Sequence, residues 1–364
     1  MSHATSNRRL GRTVLPVRMA PNTIEHFYRG GERIAELRGL ELESDHRPEE
    51  WLAATVTRFG DDEVGLARTA DGELFRDLVA KDPAGWLGAE LAQLRRASAS
   101  DTGVLVKLLD AAQRLPVHVH PDRDFARSHL GCDYGKTEAW YVLDADEGAA
   151  VYLGWSSDVL PDELAERRDT QDSEWMLGRM NRVPVRRGDG ILVPAGLVHA
   201  IGEGVFVVEA QEPTDLSIVL EWSVTTSSRE ESHLELGFDT AMTAVTHTAL
   251  GVAGLESLRA HVGRDSRSAD PIRCLPAEAS PFFRLDVVAP GEGESVPVEA
   301  GYAVAVVLDG QGRLASDEGE VDVEHGAVLA VPAGFGDWQA RGVRMVLVRP
   351  GEGWPVGLVR EARS

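Results

Sequence analysis

The segment 185–204, VRRGDGILVPAGLVHAIGEG, aligns without a gap with 323–342, VEHGAVLAVPAGFGDWQARG. Gly188, Pro194, Ala195 and Gly196 fall on Gly326, Pro332, Ala333 and Gly334, and His199 falls on Asp337. A glycine turn, an apolar strand and a P-A-G turn form a unit by which a closed β-barrel carries a residue back across its mouth. Its repetition predicts a duplicated barrel in which only the first copy keeps the histidine. Length agrees, since 364 residues at roughly 150 per domain make two domains.

Short runs rich in Val, Leu and Ile, bounded by Gly, Pro and Asp, recur from Leu105 to the end and read as strands. They include VLVKLLDA, PVHVH, AWYVLDA, AAVYLGW, VFVVEAQ, LSIVLEW, FRLDVVA, YAVAVVLDG, AVLAVPAG and RMVLVRP. Helices are expected over 73–79, 85–97 and 162–180. The expected fold is mainly β: two jelly-roll barrels with small helical insertions at about 73–97 and 162–180. The reading divides the chain into a metal-binding catalytic domain (1–222), a linker without a strong strand (223–268) and a degenerate, metal-free barrel (269–364).

With 37 basic against 59 acidic side chains and a net charge of -22, nucleic acid and anionic membranes are poor partners, because neutralising phosphates needs clustered Lys and Arg. No stretch approaches the roughly 18 apolar residues of a membrane span, and no apolar segment follows the basic N-terminus with Arg8, Arg9 and Arg12. Cys132 and Cys274 lack metal-site or disulfide spacing. Reduced structural thiols and a cytoplasmic location are expected. Of the 37 cations only Lys81, Lys107 and Lys136 are lysines. Where arginine is the default, an ammonium marks a place that wants a compact point charge.

In LPVHVHPDRD, His118 and His120 stand two apart on an expected strand and so share a face. GKTEAWYVLDA opens another strand with Glu138, and VPAGLVHAIGEG adds His199 just after a turn. Three imidazoles and a carboxylate suit zinc, iron, manganese, nickel or cobalt, with positions left open for water or substrate. One such divalent ion is expected.

H-x-H, then Glu, then P-A-G-x-x-H resembles the cupin metal motif. The wider wording, LVKLLDAAQRLPVHVHPD, GKTEAWYVLDADEGAAVYLGW, NRVPVRRGDGILVPAGLVHAIGEGVFVVEAQEPTDLS and, more weakly, RPEEWLAAT, resembles class I (zinc-dependent) mannose-6-phosphate isomerases. The likeness runs from about Thr23 to Trp222. It implies zinc and a ligand set of His118, His120, Glu138 and His199, with His118 standing where the family has glutamine. It implies an aldose–ketose isomerase acting on a sugar or sugar phosphate, whose base carries a proton through a cis-enediol while a metal polarises the carbonyl oxygen. Glu209 matches the family's E-x-Q-x-x-S-D glutamate. Glu209, Lys136 and Lys107 are the catalytic candidates, Lys107 facing inward if Val106 and Leu108 face outward.

Two departures stand out. The family's phosphate-contacting serine is here Pro116, and its active-site arginine is Val219, in TDLSIVLEW. An isopropyl group cannot replace a bidentate guanidinium. Arg114, Arg123 or Arg127 could compensate, yet weakened selectivity for a 6-phosphate is expected, with an unphosphorylated sugar a candidate substrate. Three histidines and a glutamate also suit cupin dioxygenases and decarboxylases, and loss of the arginine would suit a non-catalytic sugar sensor. His129 and His325 have no partner at metal-site spacing, and Trp140, Trp155 and Trp222 read as core.

Overall fold

The computed structural model describes residues 15–94 and 100–354. Arg8, Arg9, Arg12 and the end of the helix expected over 85–97 therefore lie outside the described residues.

Three antiparallel sheets build the molecule. A five-stranded sheet runs Ile218–Val219, His118–Val119, His199–Ile201, Ala150–Trp155, Met180–Pro184. A seven-stranded sheet runs Arg259–His261, Asp189–Val193, Glu138–Ala145, Val205–Gln211, Leu105–Ala111, Glu49–Leu52, Thr23–Ile24. Side chains of these two sheets meet in a first cupin-type sandwich, and the eight-stranded sheet, formed mostly by strands from Ile272 to Pro350, is the second. In the second, the long strands Ala303–Ser316 and Trp338–Pro350 pair with register shifts beside Gly310. Gly310 takes φ 89°, which only glycine adopts without strain.

The repeat is visible in three dimensions. Asp189–Val193 lies in the seven-stranded sheet and His199–Ile201 in the five-stranded one, so the P-A-G turn moves the chain from one sheet to the other. Gly188 and Gly326, aligned in the repeat, both take left-handed φ, 92° and 78°. Asp337, in the place of His199, accepts the Ala300 N–H (2.8 Å).

Leu105–Ala111 and Val205–Gln211 are buried at every residue, because both faces of the seven-stranded sheet are covered. Lys107 and Glu209 face the interior of the first sandwich. Val106 and Leu108 do face the opposite way, but into a core shared with Leu285, Val304, Val346 and Val348 of the second sandwich and not into solvent. Each fully buried aliphatic side chain there contributes about 1.5–3 kcal/mol, so the two sandwiches are joined by a true core.

Helices Phe75–Lys81, Pro83–Leu87 and Ala89–Leu94 fall in the first expected helical stretch, and Pro161–Asp169 and Ser173–Arg179 in the second. The stretch 223–268, read from sequence as a linker without a strong strand, is more tightly built in than a linker. Its Arg259–His261 pairs with Asp189–Ile191, and Leu234, Phe238, Ala241 and Val245 are buried with Val119, Ala200 and Ile218 in a cluster on the face of the five-stranded sheet opposite the histidines. Val17–Arg18, expected in the first unit, pairs with Leu329–Ala330 of the second. Arg38 reinforces this clasp, bonding both the Glu50 carboxylate (3.0 Å) and the Gly326 carbonyl. Burial pushes the Glu50 carboxyl up, against the pull of Arg38. No helix among the described residues is long and apolar enough to cross a membrane, and both cysteines are free thiols.

Candidate active site

The short strand His118–Val119 pairs on one side with His199 opposite His118, and on the other with Val219 opposite His118. Period-two alternation brings His120 to the same face. The three rings therefore cluster, with centroids 4.1 Å (118 and 199), 4.8 Å (120 and 199) and 4.9 Å (118 and 120) apart. Their ligand atoms lie within 4.8 Å of one another. Glu138 reaches them from the facing sheet, Oε2 at 3.0 Å from His120 Nε2 and Oε1 at 3.3 Å from His199 Nε2.

Each imidazole is oriented by a backbone carbonyl: His118 Nδ1 donates to Pro116 (2.9 Å), His120 to Leu216 (2.8 Å) and His199 to Leu197 (2.7 Å). A carbonyl only accepts, so every Nδ1 carries the proton and every Nε2 offers a lone pair. Burial, then the neighbouring His199 and His120, holds His118 well below its ordinary pKa. Burial and the Lys136 ammonium push His120 down to about 3. Glu138 stays ionised: burial alone would raise it, but the Lys136 ammonium, then the contact with His120, holds it well below the usual carboxylate range. Glu138 Oε2 and His199 Nε2 are buried with no hydrogen-bond partner. Lys136 Nζ reaches His120 Nε2 and Glu138 Oε2, but with Nδ1 protonated no proton lies between His199 Nε2 and Glu138 Oε1, 3.3 Å apart, and facing lone pairs are costly unless a cation sits between them. The donor set thus fits a divalent metal, its three imidazoles fixed by carbonyls in the manner of metal-ligand histidines.

Beside this cluster the sheet register sets a row across the interior face: Trp51, Lys107, Glu209 and Trp140 stand opposite one another on adjacent strands. Lys107, 3% exposed, has its Nζ 3.3 Å from Glu49, 3.5 Å from Glu209 and 4.0 Å from Asp215, and lies 4.7 Å over the Trp51 ring. Burial would lower the ammonium's pKa, but those carboxylates raise it. Glu49 is held by the Tyr28 hydroxyl (2.6 Å) and the Trp51 indole N–H (2.8 Å). His26 and Lys107 overcome the effect of burial and keep it well below the usual range. Glu209 differs. Burial, then the negative charge of Glu138, raises its carboxyl to about 7, and its Oε1 has no hydrogen-bond partner. Lys136 Nζ lies 3.0 Å from His120 Nε2 and 3.3 Å from Glu138 Oε2.

A cleft of about 530 Å³ opens onto these groups, lined among others by His118, Lys136, Glu138, Lys107 and Glu209. All seven residues singled out from sequence thus meet at one place. Pro116 and Val219 line it too. The three arginines offered as compensation do not. Arg114 makes a bidentate pair with Glu221 (2.7 and 2.7 Å), Arg123 pairs with Glu212 (2.6 Å) and Arg127 with Asp124 (3.2 Å). His26, Tyr28, Glu49, Arg58 and Asp215 also line the cleft and went unnoticed in the sequence. The E-E-W of 49–51 carried a signal, since two glutamates beside a tryptophan in an apolar context need partners. His129 lies tilted against Phe125 (ring centroids 4.6 Å apart), His325 bonds the Leu308 carbonyl (2.9 Å), and Trp140 and Trp155 are fully buried core.

No family model matches the chain. The mannose-6-phosphate isomerase of Streptococcus mutans is 30% identical over 250 residues, spanning 66% of this chain and 71% of that one. A Bacillus subtilis mannose-6-phosphate isomerase is 26% identical over 245 residues, covering 67% and 74%. The crystal structure of a Bacillus subtilis mannose 6-phosphate isomerase superposes with TM-score 0.68 at 21% identity, over 92% of this chain and 99% of that one. A variant of phosphomannose isomerase from Salmonella typhimurium gives 0.69 at 13%, over 93% and 100%. These solved structures share the fold, which is that of a duplicated cupin. Sequence likeness to the isomerases disfavours the oxygenase alternative. The chain belongs to the mannose-6-phosphate isomerase family of the cupin superfamily and is an aldose–ketose isomerase.

Proposed function

We propose that the chain interconverts a hexose aldose and its ketose, mannose 6-phosphate and fructose 6-phosphate or the unphosphorylated sugars, using one zinc ion held by His118, His120, Glu138 and His199. The observation that carries this reading is a buried Glu209, its Oε1 without a hydrogen bond and its carboxyl raised to about 7, beside a metal-fitting cluster in the same cleft. When bound, the ion supplies Lewis acidity to the substrate's carbonyl and hydroxyl oxygens. Glu209 takes the proton from C2 of the aldose and returns it to C1, a task suited to a carboxyl titrating near neutrality. Lys107, 3.5 Å away, holds Glu209 in place and stabilises its ionised form. Lys136, against His120 and Glu138, is placed to donate to the oxygen that gains charge as the enediol forms.

Val219 and Pro116 bring no donor to the cleft, and the cleft carries six carboxylates, of Glu25, Glu49, Glu138, Glu209, Asp215 and Glu231, against the fixed cations Arg58, Lys107 and Lys136. That balance supports weaker discrimination in favour of a 6-phosphate than the resemblance implies. The free thiols of Cys132 and Cys274 suit the cytoplasmic location expected from the sequence. NMR of mannose 6-phosphate, mannose and fructose incubated with the zinc-loaded protein tests the reading. Aldose–ketose conversion of one of these sugars is expected, and conversion of none of them would refute it. A preference for the phosphate above about a thousandfold, some 4 kcal/mol of transition-state binding, would refute the weakened selectivity.

A further inference from the structure

We infer that Arg58, in the cleft that Val219 also lines, is the residue that reads a negatively charged substituent on the substrate. The inference rests on the isomerase reading and adds to it a specificity-determining residue.

The cations of the cleft differ in how much of their charge is already committed. Lys107 faces three carboxylates and Lys136 lies against Glu138, both nearly enclosed. Arg58, in the loop after the strand Glu49–Leu52, is half-buried and donates only to the Glu25 carbonyl (3.2 Å). Among the described residues its guanidinium makes no ion pair. It is the single arginine among the described residues that lines the cleft. Next to it, the Phe59 N–H donates to Asp215 Oδ2 (3.3 Å), which ties the Arg58 loop to the segment that continues through Ser217 to Val219. The guanidinium therefore lines the same cleft as Val219, a position where this chain offers only an isopropyl group. Hydroxyls of Ser217, Thr226 and Ser227 line the same cleft and are neutral donors for the remaining oxygens. A phosphate monoester is the chemistry this arrangement takes. A planar fork with free N–H groups at a partly enclosed site engages two of its oxygens at once, while a neutral sugar hydroxyl gains far less from it.

The test compares kcat/KM for mannose 6-phosphate and mannose in the zinc-loaded full chain and its Arg58→Gln and Arg58→Lys variants, with melting temperatures as a check on folding. Arg58→Gln should lower kcat/KM for the phosphate about tenfold to a hundredfold, the range of one charge-assisted contact, mainly through KM. Mannose should stay within about threefold, and Arg58→Lys should recover part of the loss. An unchanged ratio of the two sugars, or an equal fall for both, overturns the inference. If the wild type converts neither sugar, the isomerase reading fails and Arg58 is judged by calorimetric binding of mannose 6-phosphate. A Kd at least tenfold weaker in Arg58→Gln then supports it, and equal Kd values, or no binding to the wild type, overturn it.

Discussion

Replacing Lys107 with methionine keeps the length and apolar stem of the side chain and removes only the ammonium. Glu49, Glu209 and Asp215, now 3.3, 3.5 and 4.0 Å from Nζ, lose their shared cation. Taking one partner from a buried ion pair costs about 3–5 kcal/mol, because the other charge is left uncompensated. The loss depends on pH. Glu209 is already raised to about 7 by burial and Glu138, and without Lys107 it rises further, so it takes up a proton to relieve the strain. A carboxyl whose folded pKa lies above its unfolded value of about 4.3 destabilises the fold progressively as pH climbs from the unfolded to the folded value, by about 1.4 kcal/mol per unit. The variant should therefore lose about 3–5 kcal/mol at pH 8, and at pH 6 about 1.4 kcal/mol less, because over that range the wild type already gives up about one unit's worth of stability and the variant about two. Urea unfolding of wild type and variant at the two pH values measures this. A loss that is the same at pH 6 and pH 8, or below about 1 kcal/mol at pH 8, would show that Lys107 does not hold these carboxylates together.

If Glu209 is the base, kcat/KM should rise with pH through its titration near neutrality, since only the ionised carboxylate accepts the proton, and a cation neutralising Glu138 shifts that limb to lower pH. Glu209→Gln should lower kcat about 10²- to 10⁴-fold and abolish the limb in a pH-rate profile; an unaltered profile would remove Glu209 from the chemistry. Val219→Arg places a guanidinium in the row beside His118 and should raise the ratio of kcat/KM for mannose 6-phosphate over mannose at least tenfold. A ratio that does not move would mean the reading of that position is wrong.

The barrel and the histidine cluster were legible because each rests on a local pattern. Two histidines at strand spacing must share a face, and the P-A-G turn marks where His199 arrives on the other sheet. Lys107 was legible through composition, one of three lysines in an arginine-rich chain. What the sequence hid depends on distant pairing. Glu49 beside Trp51 asks for partners, but Tyr28 and Lys107 become those partners only through the fold. Arg58 carries no pattern and enters the cleft because its loop is bonded to Asp215, far along the chain. Arg114 was a reasonable compensating cation by proximity, yet Glu221 claims both of its outer nitrogens. The strand Arg259–His261 escaped notice because none of its three residues is buried and only its pairing with Asp189–Ile191 defines it.

The central claim is that one ion among His118, His120, Glu138 and His199 makes the protein an isomerase. Zinc titrated into chelator-stripped protein, with bound metal and aldose–ketose conversion followed together, tests it most directly. Conversion should be absent without metal and reach its plateau at one ion per chain. His120→Ala should bind little metal, turn over no sugar and melt at a lower temperature than the loaded wild type, because metal held by the native state stabilises it. Full turnover by the stripped protein, a plateau at two ions per chain, or full metal occupancy in His120→Ala would contradict the account.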